Sequence, residues 1–119
     1  MDQATLKPLS FFLNKNPEDW QRKDLLKIIR DHEVHQINLH YTSLDGKLKE
    51  LKVPVNSLNY ANQILAQGER IDGSSVFKGV VDTAASDLYV VPMTKTAFLS
   101  PFEDNTLGIF CQIMDKNGA

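Results

Sequence analysis

Gln36-Ile37-Asn38-Leu39-His40-Tyr41 and Leu51-Lys52-Val53-Pro54-Val55, with Asp45-Gly46 between them, are the residues on which the fold turns. In the first run Ile37, Leu39 and Tyr41 alternate with Gln36, Asn38 and His40, the period of a strand. In the return run Leu51, Val53 and Val55 alternate with Glu50 and Lys52. Asp-Gly readily takes the positive φ that a tight hairpin turn needs. The spacing predicts an antiparallel hairpin over residues 34–55, one face buried and the other wet.

Helices are predicted on either side of the hairpin. Downstream, Asn56 or Ser57 serves as an N-cap, and Leu58, Ala61, Ile64 and Leu65 share one side at helical spacing. Gly68 stands where a C-terminal cap belongs. This predicts a helix over 57–67, packed on the sheet by Leu58, Ala61 and Leu65. Upstream, Asn16 is a candidate N-cap, Pro17 suits the first helical position, and Glu18 and Asp19 complement the positive helix end. That helix is predicted to run to about Asp31 or His32, with Trp20, Leu25, Leu26, Ile28 and Ile29 forming its apolar face. Residues 1–15 carry one apolar cluster, Leu9, Phe11, Phe12 and Leu13, and read either as a flexible tail or as a segment that packs on the domain or a partner.

The rest of the chain alternates turns and strands. Arg70-Ile71-Asp72-Gly73-Ser74-Ser75 reads as a turn-forming run, because Asp bonds its own downstream backbone and Gly accepts positive φ. Residues 76–87 read as a loop. Strands are predicted at Leu88–Val91, Thr96–Leu99 and Thr106–Met114. The last has apolar residues on both faces (Leu107, Ile109, Cys111 and Ile113 against Phe110 and Met114), which places it inside the sheet. Hairpin, crossover helix and further strands are the order of a β-grasp domain. The expected class is α+β: a mixed sheet with a packed crossover helix, preceded by an N-terminal helix. The expected division is an N-terminal extension at 1–16 and the domain at 17–119.

Composition narrows the function. With 13 Lys plus Arg against 15 Asp plus Glu and a net charge of -2, the chain of 119 residues carries no electrostatic footprint for nucleic acid or an anionic membrane. It has no apolar run long enough to span a bilayer and no signal-peptide pattern, so a cytoplasmic location is expected. The single cysteine, Cys111, lies among apolar neighbours and reads as a small buried hydrophobe. His32, His35 and His40 have no carboxylate or cysteine cluster beside them, and no metal site is expected. Ser74 and Ser75 have no base partner recognisable in the sequence, and Gly73 and Gly79 lack the spacing of a phosphate loop. From the residues alone the reading stops at a small α+β domain with a polar loop around Asp72.

The order of motifs resembles the N-terminal β-grasp domain of glutamine synthetase. His32-Glu33-Val34 followed by Ile37-Asn38-Leu39-His40-Tyr41-Thr42 resembles the family's first strand, Asp45-Gly46-Lys47 its hairpin turn and Leu51-Lys52-Val53-Pro54 its second strand. Ile71-Asp72-Gly73-Ser74-Ser75 resembles its most recognisable motif in this domain. Ser86-Asp87-Leu88-Tyr89-Val90-Val91-Pro92, Pro101-Phe102 and Thr106-Leu107-Gly108-Ile109-Phe110-Cys111-Gln112-Ile113 resemble the segments that close it. The similarity covers about residues 25–115. Two departures stand out. Between Ser75 and Lys78-Gly79 this chain has only Val76-Phe77, where the common form has a longer segment with a tryptophan. The residues before Pro17 are not usual in the common bacterial form.

The resemblance implies a ligase that condenses ammonia with glutamate using ATP and Mg²⁺ or Mn²⁺. In that family the metal, nucleotide and glutamate sites belong to a large catalytic domain, which these 119 residues do not contain, so no cofactor and no synthetase activity are expected of this stretch alone. The implied partners are the catalytic domains of its own and a neighbouring subunit in a ring-shaped homo-oligomer. By the same resemblance Asp72 is the catalytic carboxylate and, with Ser75, lines the ammonium-binding loop; Gly73, Ser74 and Phe77 belong to that active-site loop. Two alternatives stay open: a stand-alone β-grasp module that binds a partner protein, and the same domain of a synthetase that joins a different amine to glutamate.

Overall fold

The computed structural model describes residues 9–43, 46–72 and 87–115. Its centre is a mixed six-stranded sheet. The predicted hairpin forms β1 (Gln36–Thr42) and β2 (Leu48–Pro54), antiparallel, with Leu39 opposite Leu51 and Asn38 opposite Lys52. Across the turn the Ser43 N–H donates to the Lys47 carbonyl, and Gly46 takes a φ of 81°. The other strands are β3 (Glu69–Asp72), β4 (Asp87–Pro92), β5 (Phe98–Leu99) and β6 (Thr106–Asp115), and the sheet order is β2-β1-β6-β4-β3, with β5 also paired to β6. β6 runs parallel to β1 on one side and antiparallel to β4 and β5 on the other, the interior place its two apolar faces predicted. The strand predicted at Thr96–Leu99 is shorter: Thr94–Thr96 form a 3₁₀ turn that ends as Thr96 Oγ1 bonds the Met93 carbonyl and accepts the Phe110 N–H.

The crossover helix α3 (Leu58–Gln67) starts at Ser57, whose hydroxyl accepts the Tyr60 N–H at 3.1 Å. Ala61, Ile64 and Leu65 are its buried face. Leu58, predicted to pack on the sheet, is instead 44% exposed: it shares the side of those three residues but stands at the very start of the helix, where that side is no longer covered. The helix stops at Gly68, with φ 76° and ψ -165°, a region closed to side-chain-bearing residues. A Cβ there would also overlap the Val90 carbonyl, so the chain passes this close to β4 only as glycine.

The upstream helix begins later than predicted. Pro17–Asp19 form a separate 3₁₀ turn, Asn16 makes no side-chain cap, and α2 covers Arg22–Asp31. Extended backbone at Trp20 and Gln21 separates the two, which lets the Trp20 ring pack against the core while its Nε1 donates to the Lys15 carbonyl. The operative start signal is Asp24. Its carboxylate accepts the Gln21 N–H at 2.8 Å and meets Lys15 at 3.1 Å; the backbone bond, with Lys15 adding to it, holds its pKa below the ordinary value. At the far end, Val34 N–H returns to the Ile29 carbonyl and Glu33 N–H to Arg30, with Glu33 in the left-handed region at φ 52°. Asn105 Nδ2 donates to the carbonyls of both His32 and Glu33 and so ties this helix end to the start of β6.

Residues 9–13, left open between tail and packed segment, form a short helix, α1 (Leu9–Leu13). Leu9 is buried in the common core, and Phe12 sets its ring edge against His32 with centroids 4.5 Å apart. Leu25, Ile28 and Ile29 of α2, Ala61, Ile64 and Leu65 of α3, and Ile37, Leu39, Val53, Val90, Leu107 and Ile109 of the sheet complete that core. Among the described residues no helix is long and apolar enough to cross a membrane.

Candidate functional site

Asp72 ends a strand. The residues Arg70-Ile71-Asp72, predicted as a turn, belong to β3, which pairs with β4 in the register Arg70 to Tyr89, Ile71 to Leu88 and Asp72 to Asp87. The turn reading missed this because only Ile71 is apolar in Glu69–Asp72, too little for a period to show, and because a terminal strand of a sheet needs neighbours on one side only. The register has a consequence for the site. The chain leaves the sheet at Asp72 and re-enters it at the directly opposed residue, Asp87. Asp72 and Asp87 are therefore neighbours across the β3–β4 pair at one end of the sheet. Gly73, Ser74, Ser75 and Phe77 lie outside the described residues, as does the side chain of Asp72; the loop predicted at 76–87 lies outside them up to residue 86, and Asp87 is instead the first residue of β4.

An open groove of about 490 Å³ adjoins β3, with Tyr41, Leu51, Val53, Tyr60, Arg70 and Ile71 among its lining. Burial in this wall pushes the Tyr41 phenol above its ordinary pKa.

The other candidates fall into place as structural groups. Cys111 is buried in β6, and burial pushes its thiol up to about 12, too high to supply a thiolate nucleophile at neutral pH. His35 is exposed just before β1, with its backbone N–H donating to the Asn105 carbonyl and its carbonyl accepting the Val55 N–H. His40 lies on the sheet face away from the helices, 3.6 Å from the Glu50 carboxylate and stacked on Phe98. Among the described residues no three His, Cys, Asp or Glu side chains come together as a metal could require.

That outer sheet face holds an arrangement the sequence did not reveal. Glu103, in the connection between β5 and β6, accepts hydrogen bonds from Gln36 Nε2 at 2.9 Å and Asn38 Nδ2 at 3.2 Å, and pairs with Lys52 at 3.1 Å. The Lys52 ammonium, seconded by Gln36, lowers the Glu103 pKa, and Glu103 in turn raises that of Lys52. Asn38, on the side predicted to be wet, is almost fully buried by these bonds. The partners are more than fifty positions from Glu103 in the chain, so no local pattern could have shown them.

The sheet order, with a hairpin, a crossover helix and a central strand parallel to the first, defines a β-grasp domain of the α+β class. A family profile described as "Glutamine synthetase, beta-Grasp domain" matches residues 33–116, and the chain belongs to that family. Similar curated proteins include the glutamine synthetases of Azotobacter vinelandii (34% identity, 77% of this chain and 19% of that protein) and Methylococcus capsulatus (33%, 78% and 19%). A protein named 3-hydroxylaminophenol mutase from Cupriavidus pinatubonensis is 30% identical over 79% of this chain and 20% of its own length. Among solved structures, the cryoEM structure of Plasmodium falciparum glutamine synthetase superposes with a TM-score of 0.66 at 27% identity, over 84% of this chain and 19% of that one. Ligand-free GmaS superposes at 0.68 with 16% identity over 81% of this chain and 22% of its own, a likeness of fold. The chain spans about a fifth of the length of the curated relatives it matches.

Proposed function

We propose that this chain is the amino-terminal domain of a glutamate–ammonia ligase and supplies Asp72 to an active site completed by the catalytic domain of a neighbouring subunit. The observation that carries this reading is the position of Asp72 within the family match, at the strand end where the chain departs from the sheet. At neutral pH the amine substrate is mostly ammonium, whose lone pair is bound to a proton. A carboxylate attracts that cation and takes its proton; the freed ammonia attacks the γ-carbonyl of an activated glutamate, and phosphate leaves. Ser75 lines the same loop, with Gly73, Ser74 and Phe77 shaping it.

The described residues bring no three metal-ligating side chains together, so they offer no ligand set for Mg²⁺ or Mn²⁺. In this reading they belong to the catalytic domain, and the 119-residue chain alone forms no glutamine. The partners are the catalytic domains of its own and an adjoining subunit of a ring-shaped homo-oligomer in the cytoplasm. The similarity to a protein with a different printed activity favours a second reading: the same fold serves more than one reaction, so a related γ-glutamyl-amine synthetase would carry it as well.

The test is Asp72→Ala in a full-length protein carrying this domain. Loss of general-base help is expected to cut glutamine formation by about 10²–10⁴ while ATP binding persists. Normal turnover would remove Asp72 from the mechanism.

A further inference from the structure

The register of β3 and β4 sets Asp72 directly across from a second carboxylate residue, Asp87. The face they occupy follows from alternation. Leu88 is buried and Ile71 packs against the core, so the pair Ile71–Leu88 belongs to the helix side of the sheet. The pairs before and after it, Arg70–Tyr89 and Asp72–Asp87, belong to the other face. Directly opposed residues of an antiparallel pair are the closest neighbours across it, and like charges there repel. An Asp–Asp pair is thus a local fault in the sheet, of the kind a fold keeps where function needs it.

β3 is a terminal strand, so among the described strands β4 alone lies beside Asp72. The other titratable residues at this end of β3, β4 and β6 are Arg70, Tyr89, Glu69 and Asp115. Arg70 and Tyr89 share the face of the two aspartates, one pair further in. Glu69 alternates with Arg70, and Asp115 stands across from Leu88, which places both on the helix side. In register, then, each aspartate has the other as its nearest charged residue. A negative charge beside a carboxylate makes it hold a proton more tightly. Two such charges side by side also attract a cation more strongly than one.

We infer that Asp87 is a positioning residue of the amine site: its charge strengthens Asp72 as a base and helps draw ammonium to it. In the step itself an N–H bond of ammonium breaks and its proton passes to the Asp72 carboxylate. The electron pair left on nitrogen attacks the activated γ-carbonyl, from which phosphate departs. Asp87 forms and breaks no bond. It acts through Asp72, because a carboxylate made more basic is a better proton acceptor near neutral pH. The inference rests on the proposed function, and deepens it by adding the residue that tunes its base.

The experiment compares Asp87→Asn and Asp87→Glu with Asp72→Ala in a full-length protein carrying this domain, by steady-state kinetics with ammonium across a range of pH. For Asp87→Asn the KM for ammonium is expected to rise about tenfold, as loss of one nearby charge allows. The acid limb of its kcat/KM profile is expected to move to lower pH by about 1, because Asp72 gives up its proton more readily without a negative neighbour. Its kcat is expected to fall no more than about threefold, against about 10²–10⁴ for Asp72→Ala. Asp87→Glu keeps the charge and is expected to restore both the KM and the acid limb. In the isolated 119-residue chain Asp87→Asn is expected not to lower the thermal midpoint. An unmoved KM and acid limb overturn the inference, as does a loss of kcat alone or Asp87→Glu behaving like Asp87→Asn. A lowered midpoint also overturns it and makes Asp87 a structural start of β4. Any of these beside an inactive Asp72→Ala protein leaves the proposed function standing, whereas normal turnover with Asp72→Ala removes both.

Discussion

The two faces of the sheet are built from the same strands but by opposite means. On the helix side Ile37, Leu39, Leu107, Ile109 and Val90 are sealed under α2 and α3 with no polar atom among their side chains. On the outer side Gln36, Asn38 and His40, one position along from those residues, build a layer of hydrogen bonds, an ion pair and stacked rings. The first face has its partner inside the chain. The second is only half covered, with Glu50, Lys52 and Phe110 still open to water. The difference is one of means: the helix side is closed by apolar burial, the outer side by hydrogen bonds, an ion pair and ring contacts.

That division can be broken by substitution. Leu39→Ala removes a fully buried side chain from the helix side and is expected to cost about 2–5 kcal/mol in a denaturant melt. Gly108→Val, on the outer side, forces the Phe98 ring off its place, and about 1–3 kcal/mol is expected for such overpacking. A Gly108→Val loss equal to that of Leu39→Ala would mean the outer layer is a second core. Glu103→Gln sharpens the comparison through pH. Because the folded-state pKa of Glu103 is lowered, its contribution is present above the unfolded value near 4.5 and is lost as pH falls through the folded value. The thermal midpoint of the unaltered chain should therefore drop more steeply in acid than that of Glu103→Gln, and parallel curves would show that the cluster contributes nothing to folding. Phe102→Ser in the isolated chain is the smallest expected effect, within about 0.5 kcal/mol of zero for an exposed position.

The helix side was legible in the sequence and the outer side was not, for a physical reason. Burial against helices imposes a period of two on Ile37, Leu39 and Tyr41 and a helical period on Ala61, Ile64 and Leu65, and periods are local. The contacts of Glu103 and Phe98 are non-local and involve residue types that are ordinary on any surface. Competition between local signals explains the late start of α2: Asn16-Pro17 is a good helix opening, but Gln21 and Asp24 provide a second one, and Trp20 reaches the core only if the chain stays extended between them. β3 was hidden for want of apolar residues, and Leu58 misled because helical spacing does not tell how far along a helix the sheet extends. Of the site, Asp72 was legible only through its resemblance to a family motif; composition and spacing around it describe a turn.

The central claim is that Asp72 serves chemistry and not the fold of its own domain. Asp72→Asn keeps the size and polarity of the side chain and removes its charge and its ability to take a proton, so it tests this claim most directly. Two quantities would be measured: glutamine formation by the full-length protein and the thermal midpoint of the 119-residue chain. A fall in turnover of about 10²–10⁴ with an unchanged midpoint is the expected result. Turnover that survives, or a midpoint that collapses with the substitution, would contradict it and leave Asp72 as a structural end of β3.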